Sequence, residues 1–125
     1  MERVVGVGGI FFKSKDPAKL KAWYRDHLGL PADEHGEITF GAPGDAGPLV
    51  WSPFAADTKY FEPSQASFMI NFRVKDLRAM LAQLRAAGAQ VDAKVQEEPY
   101  GKFGWVMDPE GNRIELWEPP ADGSG

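Results

Sequence analysis

The sequence predicts an α+β domain made of two similar halves, and three observations lead there. Phe12-Lys13-Ser14-Lys15-Asp16 returns sixty positions later as Phe72-Arg73-Val74-Lys75-Asp76. The positions that follow keep step: Ala22 and Arg25 are matched by Ala82 and Arg85, and Gly29 by Gly88 one residue early. Each half ends near a Trp-x-Pro, first Trp51-Ser52-Pro53 and then Trp117-Glu118-Pro119. Two copies at so long a period exclude a solenoid. Half-domains packed around a pseudo-twofold axis are expected instead, with the surface between them as the place for a ligand.

The elements follow in order. Val5 to Lys13 reads as a strand. Asp16-Pro17 is a helix cap followed by proline at the first helical position. Leu20, Trp23, Tyr24 and Leu28 recur at helical spacing and read as the buried stripe, with Gly29 as the stop. Strands are expected around Glu37 to Phe40 and Pro48 to Ser52. The second half begins with Phe68 to Val74, where Phe68, Ile70, Phe72 and Val74 alternate with Met69, Asn71 and Arg73. Its helix has Asp76 as cap, Leu77, Met80, Leu81 and Leu84 as stripe and Gly88 as stop. Strands around Gln90 to Val95, Phe103 to Met107 and Arg113 to Trp117 follow. Asp108-Pro109-Glu110-Gly111-Asn112 joins the last two as a hairpin loop. Glycines on both sides of Lys102, in Tyr100 to Gly104, read as a loop.

At 125 residues the chain is one domain, long enough to bury a core. We divide 1–125 into a first module at 5–53, a connector at 54–67, a second module at 68–119 and a disordered tail at 120–125. With no cysteine, disulfides and thiolate metal sites are excluded, and only His27 and His35 could offer imidazole. A net charge of −4 without a basic stripe argues against a nucleic-acid partner. The apolar runs are too short for a membrane span, so no membrane partner and a cytoplasmic location are expected.

The alternation also says what the halves enclose. One face of each sheet covers its helix. The other carries Phe11 and Lys13, Leu49 and Trp51, and Met69, Asn71 and Arg73. Counting back from the hairpin loop sets Trp105 across from Glu115 and Phe103 across from Trp117, so Arg113, Glu115 and Trp117 join this face. Aromatic area with a few charges suits a concave small-molecule site.

The paired strand–Asp–helix–Leu–Gly units, and above all Asp108-Pro109-Glu110-Gly111-Asn112-Arg113-Ile114-Glu115, resemble the vicinal oxygen chelate superfamily. That superfamily includes glyoxalase I, bleomycin-resistance proteins, fosfomycin-resistance enzymes, extradiol dioxygenases and methylmalonyl-CoA epimerase. The resemblance runs from about Val5 to Pro119. It implies two βαβββ modules in tandem whose sheets curl into a cup. In metal-dependent members the cup holds a divalent ion. Carried over one by one, the four ligand positions of such members fall on Gly9, Leu49, Met69 and Glu115. One carboxylate is too few for a catalytic ion, which needs about three protein ligands, so neither a metal nor another cofactor is expected. The remaining precedent is the metal-free, bleomycin-resistance branch, in which homodimers sequester a planar drug in an aromatic groove.

The expected function is therefore binding of a small organic molecule in an aromatic-lined cup without a metal. Phe11, Lys13, Trp51, Met69, Asn71, Arg73, Trp105, Arg113 and Trp117 are its binding residues, and the expected assembly is a homodimer. Two alternatives stay open: a glyoxalase-like lyase or isomerase with Glu115 as general base, and an interaction module whose cup is vestigial and filled by its own side chains. Glu115 reads either as that base or as an ion-pair partner of Arg73, Arg113 or Lys13. Lys13 and Arg73, equivalent in the two halves, read either as a clamp on an anionic ligand or as rim residues. Tyr60 and Phe61 in the connector are candidates to cover the cup or a partner subunit. Trp23 and Tyr24 are read as core, His27 as a surface residue at the helix C-terminus.

Overall fold

The computed structural model describes residues 1–41 and 47–121, so most of the tail expected at 120–125 lies outside the described residues. The leading strands of the two halves, β1 (Val4–Ser14) and β4 (Phe68–Val74), pair antiparallel at the centre of one sheet. The halves are thereby joined within a single chain. On one side β1 pairs in parallel with β3 (Leu49–Ala55), which pairs with β2 (Ile38–Phe40). On the other, β4 pairs in parallel with β8 (Arg113–Glu118), followed by β7 (Gly101–Met107) and β5 (Gln90–Val91). A further strand, β6 (Gln96–Glu98), adds to β7 off this path and completes an eight-stranded sheet that curls without closing.

The helices form where the repeat places them. Helix α1 (Pro17–Leu28) starts at Asp16, whose side chain accepts from Lys19 N at 3.1 Å, and ends at Gly29 with φ 70°. Helix α2 (Leu77–Ala86) starts at Asp76, which accepts from Ala79 N at 3.0 Å. Glu118 of β8 adds a second cap by accepting from Leu77 N at 2.8 Å. After α2 the chain turns at Gly88, φ 83°, with Ala89 N donating to Leu84 O at 3.0 Å.

Helix α2 buries Leu77, Met80 and Leu81 against Val74, Val106 and Leu116, forming the core of the convex side. Helix α1 departs from expectation: none of its residues is buried, Trp23 is half exposed and Leu28 more so. It lies over β3 near the sheet edge, so one narrow side of the helix meets protein. Tyr24 makes that contact, its ring 4.5 Å from Trp51. His27 is exposed in the last turn, beside Trp23.

Residues 101–104 are strand rather than loop. They form a hairpin with β6 through Pro99 and Tyr100. Gly101 permits it: its φ is +136°, and a Cβ there would overlap the Trp117 indole nitrogen. The Asp108–Asn112 loop is a turn as expected, with Asp108 Oδ1 accepting from Glu110 N and Asn112 N. Those bonds, led by the ones from Asn112, hold the Asp108 carboxyl below its usual range.

Candidate functional site

The concave face of the sheet encloses a cavity of about 680 Å³, open at one side and mostly apolar. Phe11 of β1 and Val50 and Phe54 of β3 form one wall, and Phe103 of β7 and Trp117 of β8 the other. Phe103 and Trp117 face each other across the β7–β8 ladder in a near-parallel stack, centroids 6.1 Å apart. The hairpin register read from the sequence, Trp105 opposite Glu115 and Phe103 opposite Trp117, is the observed one.

Glu115 lies at the floor, 2 % exposed. Strand pairing puts Asn71 of β4 on one side of it and Trp105 of β7 on the other. Asn71 Nδ2 donates to Glu115 Oε1 at 2.7 Å, and Trp105 Nε1 donates to Oε2 at 3.0 Å. The Tyr60 hydroxyl, from the connector, also donates to Oε2. Burial, the Glu115 charge and this hydrogen bond push the Tyr60 phenol above its ordinary range. The partners of Glu115 are thus three neutral donors. The ion pair with Arg73, Arg113 or Lys13 does not form, because each cation is engaged elsewhere.

Arg73 is buried at the end of the cup, where its Nη1 donates to Val7 O at 2.8 Å and to Pro48 O at 2.7 Å. It straps β1 to the start of β3 and does not line the cavity. Lys13 shares the concave face but is held off by Phe61, its Nζ 5.9 Å above that ring. Arg113 donates to Tyr60 O and Glu62 O, both at 2.7 Å, and covers the Tyr60 and Trp105 rings from outside. The connector explains the placement of Lys13 and Arg113: Phe61, fully buried, packs with Phe11, Met69 and Trp105 and fills one end of the concave face. Met69 is therefore core, and Trp105 reaches the site through its N–H only.

Of the expected site residues, Phe11, Asn71, Glu115 and Trp117 line the cavity; Lys13, Trp51, Met69, Arg73, Trp105 and Arg113 do not. Trp51 is on the wrong face altogether. It pairs with Ile10 and packs on Phe12 and Tyr24 under α1. Aligning the halves through Trp-x-Pro caused this error, for the ladders set Phe12 beside Pro53 but Phe72 beside Leu116. Counted from Phe12 and Phe72, Phe54 occupies the place of Trp117. Val50 and Phe54 are the wall residues the sequence reading missed; Tyr60, a candidate to cover the cup, lines it, and so does Tyr100.

The sequence model of the glyoxalase-like domain family matches residues 9–117. The chain belongs to this family. Among solved structures this glyoxalase-like chain is similar to methylmalonyl-CoA epimerase from Mycobacterium tuberculosis, with 23% identity, TM-score 0.68, and 95% of this chain and 91% of that one covered. It also resembles a variant of the Streptomyces coelicolor epimerase in complex with 2-nitronate-propionyl-CoA, with 16% identity, TM-score 0.72, and 95% and 100% covered. A third is the Mn(II)-bound glyoxalase from Novosphingobium aromaticivorans, with 22% identity, TM-score 0.65, and 94% of this chain and 40% of that one covered. These likenesses concern the fold. Comparison with curated proteins finds no significant match.

The residues here do not fit the divalent ion of the family's metal-dependent members. The cup face of the first module offers Phe11, Val50 and Phe54, none of which can ligate. Both Glu115 oxygens already accept N–H or O–H donors, and the Asn71 amide turns its NH₂ toward Glu115. Among the described residues no three His, Cys, Asp or Glu side chains converge. No helix is long and apolar enough to cross a membrane.

Proposed function

We propose that this glyoxalase-like chain binds a small, largely apolar aromatic molecule in its cup without a metal ion, sequestration in the bleomycin-resistance manner being one instance. One observation carries the reading: an open, aromatic-walled cavity of about 680 Å³ closes on a single buried carboxylate whose partners are all neutral donors. Its size suits a small organic ligand. An unfilled cavity speaks against a vestigial cup. Metal analysis of the purified chain after incubation with manganese, iron, cobalt, nickel and zinc tests the metal-free part. Retention below roughly a tenth of an equivalent supports it; near one equivalent per chain, lost in Glu115→Ala, overturns it. Tryptophan fluorescence quenching against a library of aromatic compounds tests the binding part, because Trp117 is on the wall. The proposal includes the homodimer expected from the resemblance, which sedimentation equilibrium would report as twice the 13.8 kDa chain mass.

A second reading is a lyase or isomerase with Glu115 as base. The hydrogen bond from Tyr60 to Glu115, both on the cavity wall, favours it by giving the carboxylate a neighbouring hydroxyl for proton exchange. The Lys13 and Arg73 side chains do not line the cavity, so Tyr60 would have to stabilise an enolate oxygen. Unchanged turnover in Glu115→Gln removes this reading.

A further inference from the structure

The cup is one-sided in charge. Among its described lining residues Glu115 has the only carboxyl and none carries a basic group; the other polar side chains include Thr39, Gln96 and Tyr100. Lys13 and Arg113 are directed to an aromatic ring and to backbone carbonyls, and Arg73, which does not line the cavity, donates to Val7 O and Pro48 O through Nη1 while its Nε has no partner among the described residues. Lys102 lies 3.7 Å from Glu118.

The floor also has acceptors to spare. A carboxylate offers about four acceptor positions, and Glu115 uses three: one on Oε1 and two on Oε2. Beside it, Asn71 is 2 % exposed and its Oδ1 has no partner among the described residues. Gly8, which also lines the cavity, lies beside this oxygen, and a Cβ there would overlap it. An incoming N–H group would meet the Glu115 carboxylate, and an incoming anion would meet it with no cation among the described lining residues to offset it. Phe54 and Trp117 line the same cavity, and aromatic rings attract cations.

We propose that the ligand of this cup is an aromatic molecule carrying a cationic or N–H-donating group that seats on Glu115, and that anionic analogues are rejected. This rests on the cup being a binding site and names the chemistry that site selects.

The test is calorimetric titration of the full chain, at neutral pH, with three naphthalenes of one size: 1-naphthylmethylammonium, 1-naphthalenemethanol and 1-naphthoate. The ammonium should bind roughly tenfold or more tighter than the carboxylate, as expected for a hydrogen bond to a charged group, with the alcohol between them. Glu115→Gln should bring the three affinities together, and Trp117→Leu should weaken all three alike. Should Glu115→Gln fail to fold, the order of the three affinities in the unaltered protein still decides. If naphthoate binds as well as the ammonium or better, the charge preference is overturned while the cup remains a binding site. If none of the three binds, the binding reading falls and the preference falls with it.

Discussion

Asn71 and Glu115 stand side by side on adjacent parallel strands, and the Asn71 amide donates to Glu115 Oε1 at 2.7 Å. That bond joins the leading strand of the second module to its last strand at the floor of the cup. It also fixes the amide orientation, with NH₂ toward the carboxylate and Oδ1 toward Gly8.

Replacing Glu115 by Gln keeps the volume but takes the charge out of the three hydrogen bonds, even when the Asn71 amide turns its Oδ1 to the new NH₂. Exchanging charge-assisted for neutral hydrogen bonds should cost about 1–3 kcal/mol. Urea unfolding of Glu115→Gln should show a loss of that size, with far-UV circular dichroism unchanged. An unaltered midpoint would mean that the three hydrogen bonds do not hold the carboxylate.

Tyr60 gives a pH dependence of known sign. Its folded-state phenol lies above the ordinary 10.0, first through burial and then through the Glu115 charge and hydrogen bond. The folded state thus favours neutral Tyr60. The stability it contributes is complete below pH 10.0 and is lost as pH rises above that value, because the unfolded chain ionises first. Tyr60→Phe should lose about 1 kcal/mol near neutrality and show a shallower alkaline decline than the parent. Parallel alkaline declines in denaturant titrations of the two proteins would refute the assignment.

Arg73 is structural here. Removing its guanidinium in Arg73→Met strips charged donors from Val7 O and Pro48 O, and should cost about 3 kcal/mol. Because the side chain does not line the cavity, affinity for an aromatic probe in the protein that remains folded should change little. Chemical denaturation with parallel probe titration separates the two effects.

Trp51 and Trp117 should behave oppositely. Trp51→Ala empties a packed site between Phe12 and Tyr24 and should cost about 3–5 kcal/mol without altering the cup. Trp117→Leu removes a wall of the cavity and should abolish most probe binding. If Trp51→Ala abolishes binding in protein shown to be folded, the assignment of faces is wrong.

Much of the fold is readable from the chain because local chemistry sets it. Asp16 and Asp76 cap helices, and Gly29 and Gly88 end them. The Asp108–Asn112 turn fixes the β7–β8 register, so counting along the chain places Trp105 opposite Glu115 and Phe103 opposite Trp117. These interactions span few residues, and each residue type has one favoured geometry in them. Glu115 itself is identifiable through its position in that hairpin.

Tertiary structure alone decided which charged and aromatic side chains reach the ligand. A shift of one residue in strand register exchanges the two faces, and no turn chemistry pins β3 to β1 as it pins β7 to β8; Trp51 therefore went to α1 and Phe54 to the cup. The connector decided the rest. By burying Phe61 and delivering Tyr60 to Glu115 it covers Met69, holds Lys13 off and engages Arg113. The contacts of Tyr60 with Glu115, Phe61 with Lys13 and Arg113 with Tyr60 join residues more than forty positions apart in the chain. They follow from how the modules and connector fill one concave space, which neither periodicity nor motif encodes.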